Sequence, residues 1–186
     1  SGSGKSTLGH ALVDHLRAQG QSVAHVPQSP DEALDPLRSM AFHWGEASRA
    51  AKVKVDPALQ QALFVSLGIE GGNLRARPWM QQRFVIAMAL IGTPALLVMD
   101  EPTSALDPVI AADMMDLLEG YLAERQTALL LITHDLGLVA RRVGRLMVMQ
   151  EGRVVEDATT EQVLSAPKTN VGKALCAHRN WLELPC

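Results

Sequence analysis

Leu96-Leu97-Val98-Met99-Asp100-Glu101-Pro102-Thr103-Ser104-Ala105-Leu106-Asp107 is an apolar run that stops at two adjacent acids. A short continuous apolar run of this kind suits a strand buried on both faces, as in a parallel sheet. A buried strand that ends in two carboxylates can give one acid to a metal ion and the other to a water molecule, the Walker B arrangement of phosphoryl-transfer sites. On that reading Asp100 binds Mg2+ through its shell and Glu101 polarises the attacking water. Acid pairs also end ordinary strands, so the rest of the chain must decide.

At the other end, Ser1-Gly2-Ser3-Gly4-Lys5-Ser6-Thr7 matches the second half of G-x-x-x-x-G-K-[ST], the phosphate loop. In that motif successive backbone N–H groups and a helix N-terminus surround a polyphosphate, because both present partial positive charge to it. Lys5 would reach the β- and γ-phosphates and Ser6 would ligate Mg2+. The plainer alternative is a Gly/Ser-rich linker before a helix, which the remaining motifs disfavour. The motif's first glycine would lie before Ser1, so the sequence is expected to begin inside a longer protein.

Between and beyond these motifs the chain alternates in α/β fashion. Leu8, Ala11, Leu12 and Leu16 carry a helical period that ends near Gly20, and Ser22 to Val26 is β-branched and reads as a strand. From there to about Gly92 only helical runs occur, near Asp35 to Glu46, Pro57 to Leu67 and Met80 to Leu90. Ala95 to Met99 reads as a strand, Pro108 to Arg125 as a helix, and Ala128 to Ile132 and Leu146 to Met149 as strands. Glu151-Gly152 forms a tight turn into Arg153 to Val155, and Thr159 with Gln162 makes a capping box for a helix ending before Pro167. The expected fold is an α/β P-loop NTPase with a RecA-like parallel sheet, core 1–28 and 94–166, interrupted by an all-helical subdomain 29–93 and followed by the start of a C-terminal extension, 167–186.

Composition narrows the function classes. The chain has 186 residues, 47% of them apolar, and a net charge of -3, so a packed core is attainable and no general attraction to nucleic acid or anionic lipid exists. Cys176 and Cys186 form no CxxC pair, which excludes a disulfide framework and a four-cysteine zinc site. Ala87 to Met99, the longest apolar stretch, is broken by Gly92, Thr93 and Pro94, well short of the roughly 20 residues a spanning helix needs. His10 and His15 lie off the i, i+4 spacing of shared metal ligands, and Met114, Met115, Met147 and Met149 read as core fillers.

Asp100 to Asp107, D-E-P-T-S-A-L-D, resembles the Walker B and D-loop of the ATP-binding cassette (ABC) ATPases. Gln28 resembles that family's Q-loop glutamine, which senses the γ-phosphate and Mg2+, and His134 in Thr133-His134-Asp135 resembles its switch histidine. The segments Val26 to Pro30, Ala33 to Leu37, Thr133 to Ala140, Gly152 to Glu156 and Leu164 to Leu175 are similar to the dipeptide, oligopeptide and nickel importer branch. The resemblance implies ATP and Mg2+ as cofactors, with Ser1, Gly2, Ser3, Gly4, Lys5, Ser6, Thr7, Gln28 and Asp107 at the nucleotide, Ser6, Gln28 and Asp100 at the metal, and Glu101 and His134 catalytic. It further implies a second ATPase subunit, membrane permeases, indirectly an extracytoplasmic solute-binding protein, and a peripheral place at the cytoplasmic face of the membrane. No nucleic acid partner is expected.

One element departs from the family. The signature loop, L-S-G-G-Q or L-S-G-G-M, would stand where this chain has Leu74-Arg75-Ala76-Arg77-Pro78-Trp79-Met80-Gln81-Gln82-Arg83. Gly71-Gly72 is too early to replace it. The signature brings a serine hydroxyl and a helix N-terminus to the γ-phosphate held by the opposite subunit of a head-to-tail dimer, whereas Pro78 removes a donor and Trp79 adds bulk. A heterodimer is therefore expected, in which the site on Lys5 turns over with an intact partner signature. The alternative is a non-hydrolytic subunit with a regulatory or structural role.

Overall fold

The structure is a computed structural model that describes residues 2–69 and 77–177. Its elements in chain order are α1 (Lys5–Ala18), β1 (Val23–Val26), α2 (Met40–Ala50), α3 (Pro57–Ser66), α4 (Pro78–Leu90), β2 (Leu96–Asp100), α5 (Pro108–Arg125), β3 (Ala128–Ile132), α6 (Leu136–Val139), β4 (Arg145–Gln150), β5 (Arg153–Thr159), α7 (Thr160–Ser165) and α8 (Asn170–Ala177). The chain forms two compact units, Ala11–Ile132 and Ser1–His10 with Thr133–Cys186.

The Ala11–Ile132 unit is built on a parallel sheet of order β1-β2-β3, with Val23 opposite Leu96 and Leu96 opposite Ala128. Parallel neighbours need crossovers, which α2 to α4 supply between β1 and β2, and α5 between β2 and β3. Leu97, Val98 and Met99 of the middle strand are fully buried, as its continuous apolar run requires. Val13, Val23, Val98 and Ile132 form one cluster, with Leu16, Leu96 and Leu130 packed against it.

The inserted helices have their own aromatic core. Trp44 of α2, Phe64 of α3 and Phe84 of α4 pack with ring centroids 5.5 to 6.0 Å apart, two of the three pairs edge to face, the contact that ring quadrupoles favour. Trp44 is thus a packing residue. α2 starts at Met40 rather than near Asp35, because Asp35 accepts from the Leu37 N–H and Ser39 caps the helix through the Phe42 N–H. Local side-chain bonds of this kind compete with the helix. α4 starts earlier than its sequence period suggests, at Pro78, where a missing N–H costs nothing.

In the other unit β4 and β5 form an antiparallel hairpin with a register shift at Val148/Met149. Its turn holds Glu151 and Gly152 at φ +50° and +75°, as a tight primed turn demands. The Thr159–Gln162 capping box forms and starts α7. Met114 and Met115 of α5, in the sheet-bearing unit, are core fillers, but Met147 of β4 is 46% exposed, contrary to expectation.

Candidate functional site

Gly2 and Gly4 adopt φ +92° and +87°, a region open to glycine without strain, and the Leu8 N–H donates to the Gly4 carbonyl, so α1 begins directly after the glycine. The sequence period did not show what supports this loop. The Gly152 N–H at the hairpin turn donates to the Ser3 carbonyl over 2.9 Å, and a Cβ on Gly4 would meet the Gly152 Cα at 3.3 Å. Lys5 is half-buried with Nζ donating to Ser3 Oγ at 3.2 Å, while Ser6 and Thr7 are exposed. His10 donates from Nδ1 to the Ser6 carbonyl. Ser1, Gly71-Gly72 and Leu74 to Ala76 lie outside the described residues.

In the sheet-bearing unit, Asp100 closes β2 opposite Ile132 and is 4% exposed. Its Oδ1 has no hydrogen-bond partner among the described residues. A buried carboxylate oxygen without a partner is costly, and a divalent cation or a water molecule would satisfy it. Glu101 follows at φ +44°, an uncommon region for a side chain of this size, and is pinned there because its N–H donates to the Ile132 carbonyl at 2.8 Å. The acid pair is thereby fixed against the end of β3, two residues before His134.

Gln28 is exposed on the loop that leaves β1. Asp107 caps α5 through the Val109 N–H at 2.9 Å, with Pro108 in the first helical position. His134 is exposed, between Ile132 and Asp135, the residue that caps α6 through the Leu138 N–H. Where the signature would stand, Arg77 precedes α4 without a side-chain cap, and Trp79 has the guanidinium groups of Arg77 and Arg83 at 5.8 and 5.3 Å from its ring centre. The start of α4 is thus committed to cation–π contacts. Gln28 and the acid pair belong to one compact unit, and the phosphate-loop residues and His134 to the other.

No family model matches the chain. It is 37% identical over 169 residues to the nickel import ATP-binding protein NikD of Rhodospirillum rubrum, across 86% of this chain and 64% of that protein. It is 36% identical over 180 residues to a putative peptide import ATP-binding protein of Brucella melitensis, across 89% of this chain and 53% of the other. The chain thus spans between half and two thirds of the length of these relatives. Among solved structures it superposes on cbiO1 from Clostridium perfringens, part of the ABC transporter complex cbiONQ, with a TM-score of 0.68 and 25% identity, across 81% of this chain and 62% of that one. It also superposes on the dimeric structure of MJ0796, a bacterial ABC transporter cassette, with a TM-score of 0.71 and 21% identity, across 86% and 82%. The described residues therefore have the fold of an ATP-binding cassette ATPase domain, and the chain is a relative of the ATP-binding subunits of nickel and peptide importers.

Proposed function

We propose that this protein binds ATP with Mg2+ and hydrolyses it to drive uptake of peptides, nickel or related chelates through membrane permeases. The observation that carries the reading is Asp100, whose buried carboxylate ends an apolar strand with one oxygen unpartnered, beside a glutamate held in the left-handed region. The phosphate-loop glycines at positive φ and the names of the relatives support it.

In this mechanism Gly2, Ser3 and Gly4 turn backbone N–H groups toward the polyphosphate, with Ser1 and Thr7 at the ends of the loop. Lys5 places its ammonium on the β- and γ-phosphates. Ser6, Asp100 and Gln28 would hold Mg2+, which would supply positive charge against the phosphate oxygens. Glu101 takes the proton of the attacking water and His134 contacts the γ-phosphate. Asp107 orders the start of α5 at the nucleotide. The metal fits the residues present, because a hydroxyl and a carboxylate are the hard oxygen donors that Mg2+ prefers.

The assembly that fits this mechanism pairs the chain with a different ATPase subunit and with permeases, at the cytoplasmic face of the membrane and served by a solute-binding protein. Among the described residues no helix is long and apolar enough to cross a membrane. The test is Glu101→Gln in a mixture with an ATPase subunit that carries an intact L-S-G-G signature: ATP binding should persist while turnover falls about 10²- to 10⁴-fold. Turnover at the unmodified rate would overturn the mechanism.

A further inference from the structure

The phosphate-loop residues and the β4–β5 hairpin belong to the same compact unit. They meet main chain on main chain, where the Gly152 N–H at the turn donates to the Ser3 carbonyl at 2.9 Å. The approach is close: a Cβ on Gly4 would stand 3.3 Å from the Gly152 Cα. Glycine at position 4 thus serves two ends, the φ of +87° and a hairpin backbone nearer than a side chain ordinarily allows.

The consequence lies in the peptide unit that Ser3 shares with Gly4. A trans peptide is planar, with its C=O and N–H on opposite sides, and none of the described peptide bonds is cis. The bond from Gly152 draws the Ser3 carbonyl toward the hairpin and so turns the Gly4 N–H away from it. The Gly4 carbonyl is fixed in turn by the Leu8 N–H at 2.9 Å. The donor itself is held in place, because Glu151 and Gly152 form a two-residue connection between the paired Gln150 and Arg153, both at positive φ, which continues the twist of the strands. Without such a bond, glycines at φ +92° and +87° have wide freedom, and ordering them on binding costs entropy.

We propose that Gly152 is a positioning residue for the phosphate loop: its N–H fixes the Ser3–Gly4 peptide with the Gly4 N–H facing the side that receives a polyphosphate. The inference rests on the nucleotide reading above and adds to it a residue distant in sequence from the loop. A donor set in place during folding strengthens binding, because its ordering is not charged to the ligand.

The test replaces the Glu151–Gly152 amide by an ester, with glycolic acid installed at position 152 by nonsense suppression, which removes the N–H and leaves every side chain in place. Anisotropy of methylanthraniloyl-labelled ATP with Mg2+ should show affinity reduced about fivefold, the worth of one hydrogen bond. Arg145→Ala breaks the two-bond pair with Asp157 elsewhere on the same hairpin and should leave affinity unchanged, which a general dependence on hairpin stability would not. The ester is also made in a Glu151→Asn background, because Asn-Gly favours such a turn and keeps the hairpin folded. Circular dichroism melting checks folding, and the same loss should recur. A loss under about twofold in the folded ester protein, or an equal loss in Arg145→Ala, would overturn the proposal. Lys5→Ala tells the two failures apart: if it weakens binding and the ester does not, the positioning role alone falls, and if it too changes nothing, the nucleotide reading falls and the proposal with it.

Discussion

Replacing Arg83 tests how the inserted helices are tied to the rest of their unit. Its side chain is 5% exposed and donates through Nη1 to the Leu67 and Gly68 carbonyls at 3.0 and 3.2 Å, and through Nη2 to Asp113 of α5. The first two bonds satisfy carbonyls at the end of α3, where the helix supplies no further N–H. Gly68 is at φ +60°, and a Cβ there would fall 2.5 Å from Arg83 Nη1, so glycine is required both by conformation and by the guanidinium. Two hydrogen bonds from a charged donor are worth about 1.5–3 kcal/mol each, and relief of a buried charge whose Nε has no partner among the described residues returns part of that. Arg83→Met should therefore destabilise the protein by about 2–4 kcal/mol. Asp113 is 60% exposed, so solvent screens the ion pair and Asp113→Asn should cost about 0–1 kcal/mol. Urea unfolding followed by far-ultraviolet circular dichroism measures both. A loss below about 1 kcal/mol for Arg83→Met, or equal losses for the two variants, would refute the assignment of the energy to the α3 carbonyls.

Glu156 of β5 predicts a pH dependence. Its buried carboxylate accepts from the Lys168 N–H and from the N–H and hydroxyl of Thr169, chiefly the first of which holds its pKa below the ordinary glutamate value. A lowered folded-state pKa adds stability that is present above the unfolded pKa and lost as pH falls through the folded one. Acid titration of stability should therefore show a declining limb below the normal glutamate range, and Glu156→Gln should lower stability at neutral pH and flatten that limb. An unchanged limb in the variant would remove Glu156 as its source. The departure at the signature predicts asymmetry: in a mixture with a subunit carrying L-S-G-G, hydrolysis should depend on Lys5 here far more than on the partner's phosphate-loop lysine. Strong Glu101-dependent hydrolysis by this protein alone would contradict it.

The parts of the fold that the sequence revealed are those set by local chemistry. α5 starts and ends where expected because Asp107 and Pro108 specify its first turn and Gln126 at φ +55° stops it. β3 matches because its apolar run has sharp polar limits. β5 extends to Thr159, beyond the expected Val155, because pairing across the hairpin extends a strand that its polar residues obscure. α8 escaped notice because its anchor is Glu156, distant in sequence, and the Ser3–Gly152 bond behind the phosphate loop is equally non-local. The acids, glycines and lysine stood out in the sequence because phosphate and metal chemistry would restrict residue type, and their role at a nucleotide is a proposal. The strain at Glu101 was not, since it arises from a bond to Ile132 of the next strand.

The central claim is that Lys5 and Glu101 serve one triphosphate, and a double-mutant cycle on single-turnover cleavage of the γ-phosphate measures that directly. Residues acting as a unit are strongly non-additive, so Lys5→Ala with Glu101→Gln together should be barely slower than the slower single variant. Rate losses that multiply would show the two residues working independently and contradict the account.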